Sequence, residues 1–308
     1  MAIHKATRAA LKALSYPDID VKKNYKLVRA AENLAHPPVS KVMLYRAWDH
    51  TVCSGDHCVP VRIFAPDHGV PTPKILVFFH GGGWVIGNID SYDKTCHVMA
   101  NKTGRLVVSV DYRLAPEYPF PAGLEDCYAV TREIFLDDSL FSTKSREIAL
   151  IGDSAGGNLA AAVSLMARDR GEFLPRQQIL IYPATFNDHS ETSPFESVRT
   201  NGTDYLLTSK RVRDYMELYA PRPEDRQNPY VAPLLAQDLH HQPDTLIVTG
   251  EYCPLRDEGE AYGRRLAQAG NDVRVLRMAD ALHGYFMLPP RYAQVRHTYE
   301  AINKFLGR

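Results

Sequence analysis

No run in this 308-residue sequence approaches the ~18–20 apolar residues that cross a bilayer, so a membrane span is not expected. The chain also lacks a charge bias. Lys plus Arg and Asp plus Glu are equal at 36 each, which gives no electrostatic reason for nucleic acid or an anionic membrane as partner. Cysteine is scarce: five residues, Cys53, Cys58, Cys96, Cys127 and Cys253, odd in number and widely scattered, which argues against a disulfide framework. Cys53, His57 and Cys58 offer only three ligands and fall between two strand-like runs. A hairpin turn on Ser54, Gly55 and Asp56 is favoured over a metal there. Repeats and low-complexity tracts are absent. At the N-terminus, Lys5, Arg8 and Lys12 interrupt any apolar core a signal peptide would need, so an amphipathic helix and, by default, a cytoplasmic location are expected.

What is present is a strand–helix rhythm. Residues 1–36 read as two short helices broken at Pro17, and 42–52 with 58–65 as a strand pair. Apolar runs follow at 75–80, 106–111, 147–152, 178–183, 245–250 and 273–278. They are almost continuously apolar, as in parallel strands covered on both faces. Helical patterns lie between them, near 91–103, 122–138, 155–170, 257–269 and 290–306. This alternation predicts a mostly parallel, doubly wound α/β sheet. Residues 184–244 break the rhythm with one helix near 208–220, an insertion placed to form a lid with the N-terminal helices. The expected division is a cap segment over 1–40 and a catalytic domain over 41–308, whose 184–244 insertion adds to the cap.

Three motifs carry chemistry. GDSAG (Gly152–Gly156) lies between a strand and an apolar-faced helix, the setting of a nucleophile elbow with Ser154 at its apex. HGGGW (His80–Trp84) follows another strand. Its glycines let backbone N–H groups approach a ligand, so Gly82, Gly83 and Ala155 are assigned as oxyanion donors, with His80 orienting the loop. Among twelve histidines, His283 in ALHGY follows the last strand, where a base must lie to reach Ser154.

With DYRLAPEYPFPAGLED (Asp111–Asp126), CPLRDEG (Cys253–Gly259) and HGY (His283–Tyr285), these motifs resemble the bacterial hormone-sensitive-lipase-like esterases from about residue 42 onward. The resemblance implies the α/β-hydrolase fold with a helical cap, hydrolysis of short to medium acyl esters (acetyl among them) through a serine acyl-enzyme, a small-molecule ester substrate, and neither cofactor nor metal.

One position departs from the family. The Asp that begins its D-P-L-x-D-E motif, the triad acid, is here Cys253. Three outcomes are open. Cys253 is a thiolate, aided by a helix N-cap with Pro254 as first helical residue, by imidazolium and by Arg256. Alternatively, Glu251 or Asp257 substitutes, or Ser154 and His283 work as a slow pair. Asp111, Arg113, Glu117 and Asp126 are expected to form a buried network behind the oxyanion loop, with Asp153 supporting the nucleophile turn. Trp84, Tyr182, Tyr205 and Phe286 are candidates for the substrate pocket. The altered acid keeps a small-molecule receptor or lyase as the competing reading, and acyl transfer to another acceptor as a third. The last strand and helix form an edge where two chains can pair.

Overall fold

The computed structural model describes residues 11–13, 15, 20–37, 46–54, 57–69, 74–137 and 147–307. Eight strands form one sheet in the order β1-β2-β4-β3-β5-β6-β7-β8. They are β1 (Ala47–Ser54), β2 (His57–Phe64), β3 (Ile75–Phe79), β4 (Leu106–Val110), β5 (Ile148–Asp153), β6 (Gln177–Ile181), β7 (Asp244–Tyr252) and β8 (Val273–Leu282). Strands β3 to β8 are parallel, and the β1–β2 hairpin joins β4 antiparallel. All residues of β3, β4 and β5 are buried, the physical reason their sequences do not alternate.

The sheet is covered by α2 (Asp93–Thr103), α3 (Ala122–Leu136), α4 (Ala155–Arg170), α7 (Arg256–Gln268) and α8 (Ala293–Phe305). Each lies within a few residues of its predicted span. At the hairpin, Cys53 and Cys58 face each other in register and are joined by a disulfide. The odd, scattered cysteines argue against a disulfide framework; among the described residues this one pair is joined, while Cys96, Cys127 and Cys253 are free. Residues 55 and 56 of the expected turn lie outside the described residues.

The second helix expected near the N-terminus is α1 (Val21–Ala35), capped by Asp20, whose side chain accepts from the Lys23 N–H. The break expected at Pro17 lies outside the described residues, as does most of the helix before it. A single side chain of α1, Val21, is fully buried, so its docking relies on polar contacts. Arg29 donates to the carbonyls of Val85 (2.9 Å) and Ala115 (3.0 Å) and to both carboxylate oxygens of Glu117 (3.1 and 3.0 Å). Residues 184–244 carry α5 (Glu196–Thr200) and α6 (Ser209–Tyr219). They are pinned to the domain by the buried Glu258 carboxylate, which accepts from the N–H groups of Thr185 and Phe186 and contacts His189 Nε2 at 2.7 Å. Lys22 of α1 pairs with Glu217 of α6, so the two excursions are joined.

The tightest packing lies where β5 passes into α4. A Cβ on Gly156 would stand 1.9 Å from the Phe79 carbonyl oxygen, and one on Gly152 would stand 2.2 Å from that of Gly156. Gly171, at the end of α4, has φ +67° but open space around it. Gly156→Ala is therefore expected to cost about 3 kcal/mol or more, and Gly171→Ala only about 1 kcal/mol. Urea unfolding of both variants checks this, and equal costs would contradict the steric account.

Candidate active site

Ser154 sits between the last residue of β5 and the first of α4, at φ 55° and ψ −117°. A non-glycine residue there carries backbone strain of order 1–3 kcal/mol, which the surrounding structure must hold in place. Two hydrogen bonds help to hold it: the Ser154 N–H donates to Ile181 O (2.8 Å) and its carbonyl accepts from Asn158 N–H (3.0 Å). The close approaches at Gly152 and Gly156 exclude any larger residue on either side.

His283 follows β8 directly, with Gly284 at φ 82° turning the chain beside it. Its Nε2 lies 2.9 Å from Ser154 Oγ. The ring is partly buried at the cavity wall, tilted over Tyr182 at 4.7 Å, and desolvation pushes its pKa down to about 3. A neutral imidazole is the form that can accept the serine proton.

On the other side of the ring, Cys253 Sγ lies 3.0 Å from Nδ1. The sheet register explains the meeting: after a shift at Gly250, Tyr252 pairs with Leu282, which sets the next residues of each strand side by side. Cys253 is fully buried, and desolvation raises its thiol pKa well above the ordinary value. Of the three alternatives, burial disfavours the thiolate. The proposed N-cap is corrected: α7 starts at Arg256 with Leu255 at the cap, and Pro254 lies outside it. Neither fallback carboxylate reaches the ring. Glu251 Oε2 accepts from Asp280 N–H (2.7 Å), and Asp257 is held by Arg256 (2.7 Å) and Ser197 N–H (2.8 Å).

The glycine loop after β3 completes the site. Gly82 and Gly83 have φ 116° and 60°, and a Cβ on Gly83 would meet the Tyr215 ring at 2.4 Å. Gly82, Gly83 and Ala155 line one cavity together with Ser154 and His283. Asp153 ties the loop to the elbow: its carboxylate accepts from Gly81 N–H (2.8 Å), Tyr92 OH (3.1 Å) and Tyr182 OH (3.3 Å). Burial lifts the Asp153 pKa to about 7 against those donors. His80 stacks on Tyr112 at 4.3 Å and contacts Gly81 O through Nδ1 (2.7 Å), while burial lowers its pKa to about 4. It lies outside the cavity lining.

The expected polar network is three separate contacts. Arg113 pairs with Asp126 (2.7 Å), Glu117 with Arg29 of α1, and Asp111 accepts weakly from Ile89 N–H (3.3 Å). Of the four proposed pocket aromatics, Trp84 alone lines the cavity. Tyr182 lies beneath His283 and donates to Asp153, Tyr205 stacks on Tyr252 (4.9 Å), and Phe286 packs on Tyr299 (5.0 Å). The lining the sequence did not reveal includes Ile86, Leu207, Val212, Tyr215, Leu255 and Met287, with Glu32 from α1. These come from segments without motifs, and the heptad-like apolar spacing of α6 was the one available signal for Val212 and Tyr215.

Asp153 titrates in a way that can be measured. Its folded pKa lies above the ordinary 3.8, so the native state keeps a proton that the unfolded chain has lost. That contribution to stability is complete below about pH 4 and is lost as pH rises through about 7. Asp153→Asn removes the titration. The melting temperature of the variant, relative to wild type, is expected to rise across that interval, and a constant difference would contradict the assignment.

Comparison with known proteins agrees with this fold. The α/β hydrolase fold family matches residues 76–287. The carboxylic ester hydrolase LipN of Mycobacterium tuberculosis is 37% identical over 238 residues, 75% of this chain and 61% of that protein. An arylesterase of Saccharolobus solfataricus is 35% identical over 250 residues, 81% of this chain and 80% of that one. Among solved structures, a hyperthermophilic esterase from the archaeon Pyrobaculum calidifontis matches with a TM-score of 0.86 at 34% identity, covering 99% of this chain and 98% of the other. A motif pair on the expected fold, a serine and histidine in contact, and these relatives lead to one conclusion: the chain is a serine esterase-type hydrolase and belongs to the hormone-sensitive-lipase-like esterases of the α/β-hydrolase superfamily.

Proposed function

We propose that Ser154 is the nucleophile, His283 the general base, and Cys253 a neutral partner at the position of the triad acid, in an enzyme that cleaves esters of short to medium acyl groups. The observation that carries this reading is the 2.9 Å contact between Ser154 Oγ and His283 Nε2 inside a cavity also lined by Gly82, Gly83 and Ala155. Oγ attacks the ester carbonyl as its proton passes to Nε2. The tetrahedral oxyanion forms against the amides of Gly82, Gly83 and Ala155. Collapse breaks the bond to the alcohol, which takes the proton from imidazolium, and water activated by His283 then releases the acid from Ser154. The volume of about 190 Å³ and apolar lining favour small acyl groups such as acetyl or butyryl. In this reading α1 and the 184–244 segment act as the cap, since Glu32, Leu207, Val212 and Tyr215 close the cavity from those elements.

The thiol makes the mechanism slower than its relatives' carboxylate would. A carboxylate accepts the Nδ1 proton and stabilises imidazolium; a neutral thiol accepts that proton only weakly, so the tautomer whose Nε2 is free to take the serine proton is less well held. Loss of the acid in serine proteases costs roughly 10⁴-fold while leaving measurable catalysis.

Turnover of p-nitrophenyl acetate and butyrate tests the assignment. Wild type is expected to be active, Ser154→Ala inactive, and Cys253→Asp faster by about tenfold to 10⁴-fold. If Cys253→Asp lost activity, the thiol would have a specific role; if no form turned over ester but each bound ligand, a receptor would be the better reading. The pH profile gives an independent check. Imidazolium cannot accept the serine proton, so kcat/KM falls where His283 protonates. Burial with no carboxylate beside it places the wild-type acidic limb below the ordinary 6.5. Cys253→Asp adds a negative charge at Nδ1, raises that pKa and moves the limb to higher pH. An unshifted limb would contradict the placement of Cys253 at Nδ1.

A further inference from the structure

Among the described residues that line the catalytic cavity, three have titratable side chains besides the tyrosines: Asp153, His283 and Glu32. Asp153 is spent on Gly81, Tyr92 and Tyr182. His283 is neutral and engaged with Ser154 and Cys253. Glu32 is different. It is supplied by α1, outside the motifs, and brings a carboxylate to a wall otherwise made of apolar side chains, phenols and glycine backbone.

Its placement is fixed from two sides. Arg29, one helical turn before it, clamps α1 to Val85, Ala115 and Glu117. Asn33, the next residue, accepts from Asn88 Nδ2 at 3.2 Å. Burial is the main reason that Tyr215 and Tyr92, which line the same cavity, resist ionisation, and the Glu32 charge adds to it. One carboxylate oxygen, Oε1, lies 3.0 Å from His36 Nδ1. Oε2 has no hydrogen-bond partner among the described residues, and no Lys or Arg among them pairs with Glu32.

We propose that Glu32 is a specificity determinant that selects ester substrates carrying a cationic group, an ammonium or guanidinium, on the part of the molecule that lies toward α1. This rests on the ester-hydrolase reading above and names the substrate class for the same site. A fixed carboxylate in a partly dry cavity attracts a cation more strongly than in bulk water and repels an anion by the same physics. A contact to a remote cation that does not touch the reacting carbonyl strengthens substrate and transition state alike and appears in KM.

The test uses a matched pair that differs in one charge: butyrylcholine and its neutral isostere, 3,3-dimethylbutyl butyrate. Wild type is expected to favour the cationic ester by about tenfold in kcat/KM, largely through KM. In Glu32→Gln the cationic-to-neutral ratio is expected to fall to near one, and in Glu32→Lys to invert. A merely structural role for Glu32 would lower both rates and leave the ratio where it was. A ratio near one in wild type, or one unchanged in Glu32→Gln, overturns the proposal. Calorimetric binding of the same two esters to Ser154→Ala, with and without Glu32→Gln, reads the ratio as Kd without turnover. Absence of turnover for the neutral ester in wild type would count against the hydrolase reading, while the binding ratio would still decide the role of Glu32.

Discussion

The turn at Ser154 is the constraint on which the rest of the site depends. The chain passes from β5 to α4 within one residue, with the backbone of Gly156 against the end of β3 and that of Gly152 against Gly156. Only a residue at positive φ closes such a turn, so the hydroxyl is carried by strained backbone. Because β3 supplies the glycine loop from the same place, the elbow and the loop share one wall. Asp153, adjacent to the serine, bonds to Gly81 and fixes the distance between them. His283 then needs only to arrive at the carboxyl end of β8, and the shifted pairing with β7 brings it there beside Cys253.

The electrostatics of this site differ from those of a carboxylate triad. No negative charge faces Nδ1, so burial alone sets the imidazole and keeps it neutral. Neutrality suits the imidazole as a proton acceptor but disfavours the imidazolium that the transfer creates, because that cation forms without a counter-charge. Burial likewise prevents Cys253 from ionising. On the proposed reading the thiol keeps the geometry of a triad and gives up most of its charge stabilisation.

Each element was legible in the sequence to the extent that its own residues, and not its neighbours, decide its place. The parallel strands announced themselves through unbroken apolar runs, and the elbow and glycine loop through residues that sterics allows nowhere else. His283 could be found because chain order and the end of a strand left a single suitable position. Tyr182, Tyr205 and Phe286 could not be placed, since an aromatic near a motif packs inward or outward according to neighbours that the motif does not name. The thiolate alternative drew on Cys253 as a helix cap, on imidazolium and on Arg256; α7 begins three residues later, and burial pushes the thiol the other way. Glu32 and Tyr215 escaped notice because α1 and α6 meet the cavity through tertiary docking. The Cys53–Cys58 disulfide was hidden by counting cysteines across the chain, when two facing positions of one hairpin sufficed.

The central claim is that the Ser154 hydroxyl, activated by a neutral imidazole, is the atom that takes the acyl group. The most direct measurement is peptide mass spectrometry after reaction with an aryl phosphonate ester that traps serine nucleophiles. A single covalent adduct on the peptide containing Ser154, absent from Ser154→Ala, is the predicted result. Labelling of Cys253 in its place, or no adduct at all in protein that is fully folded, would contradict the account.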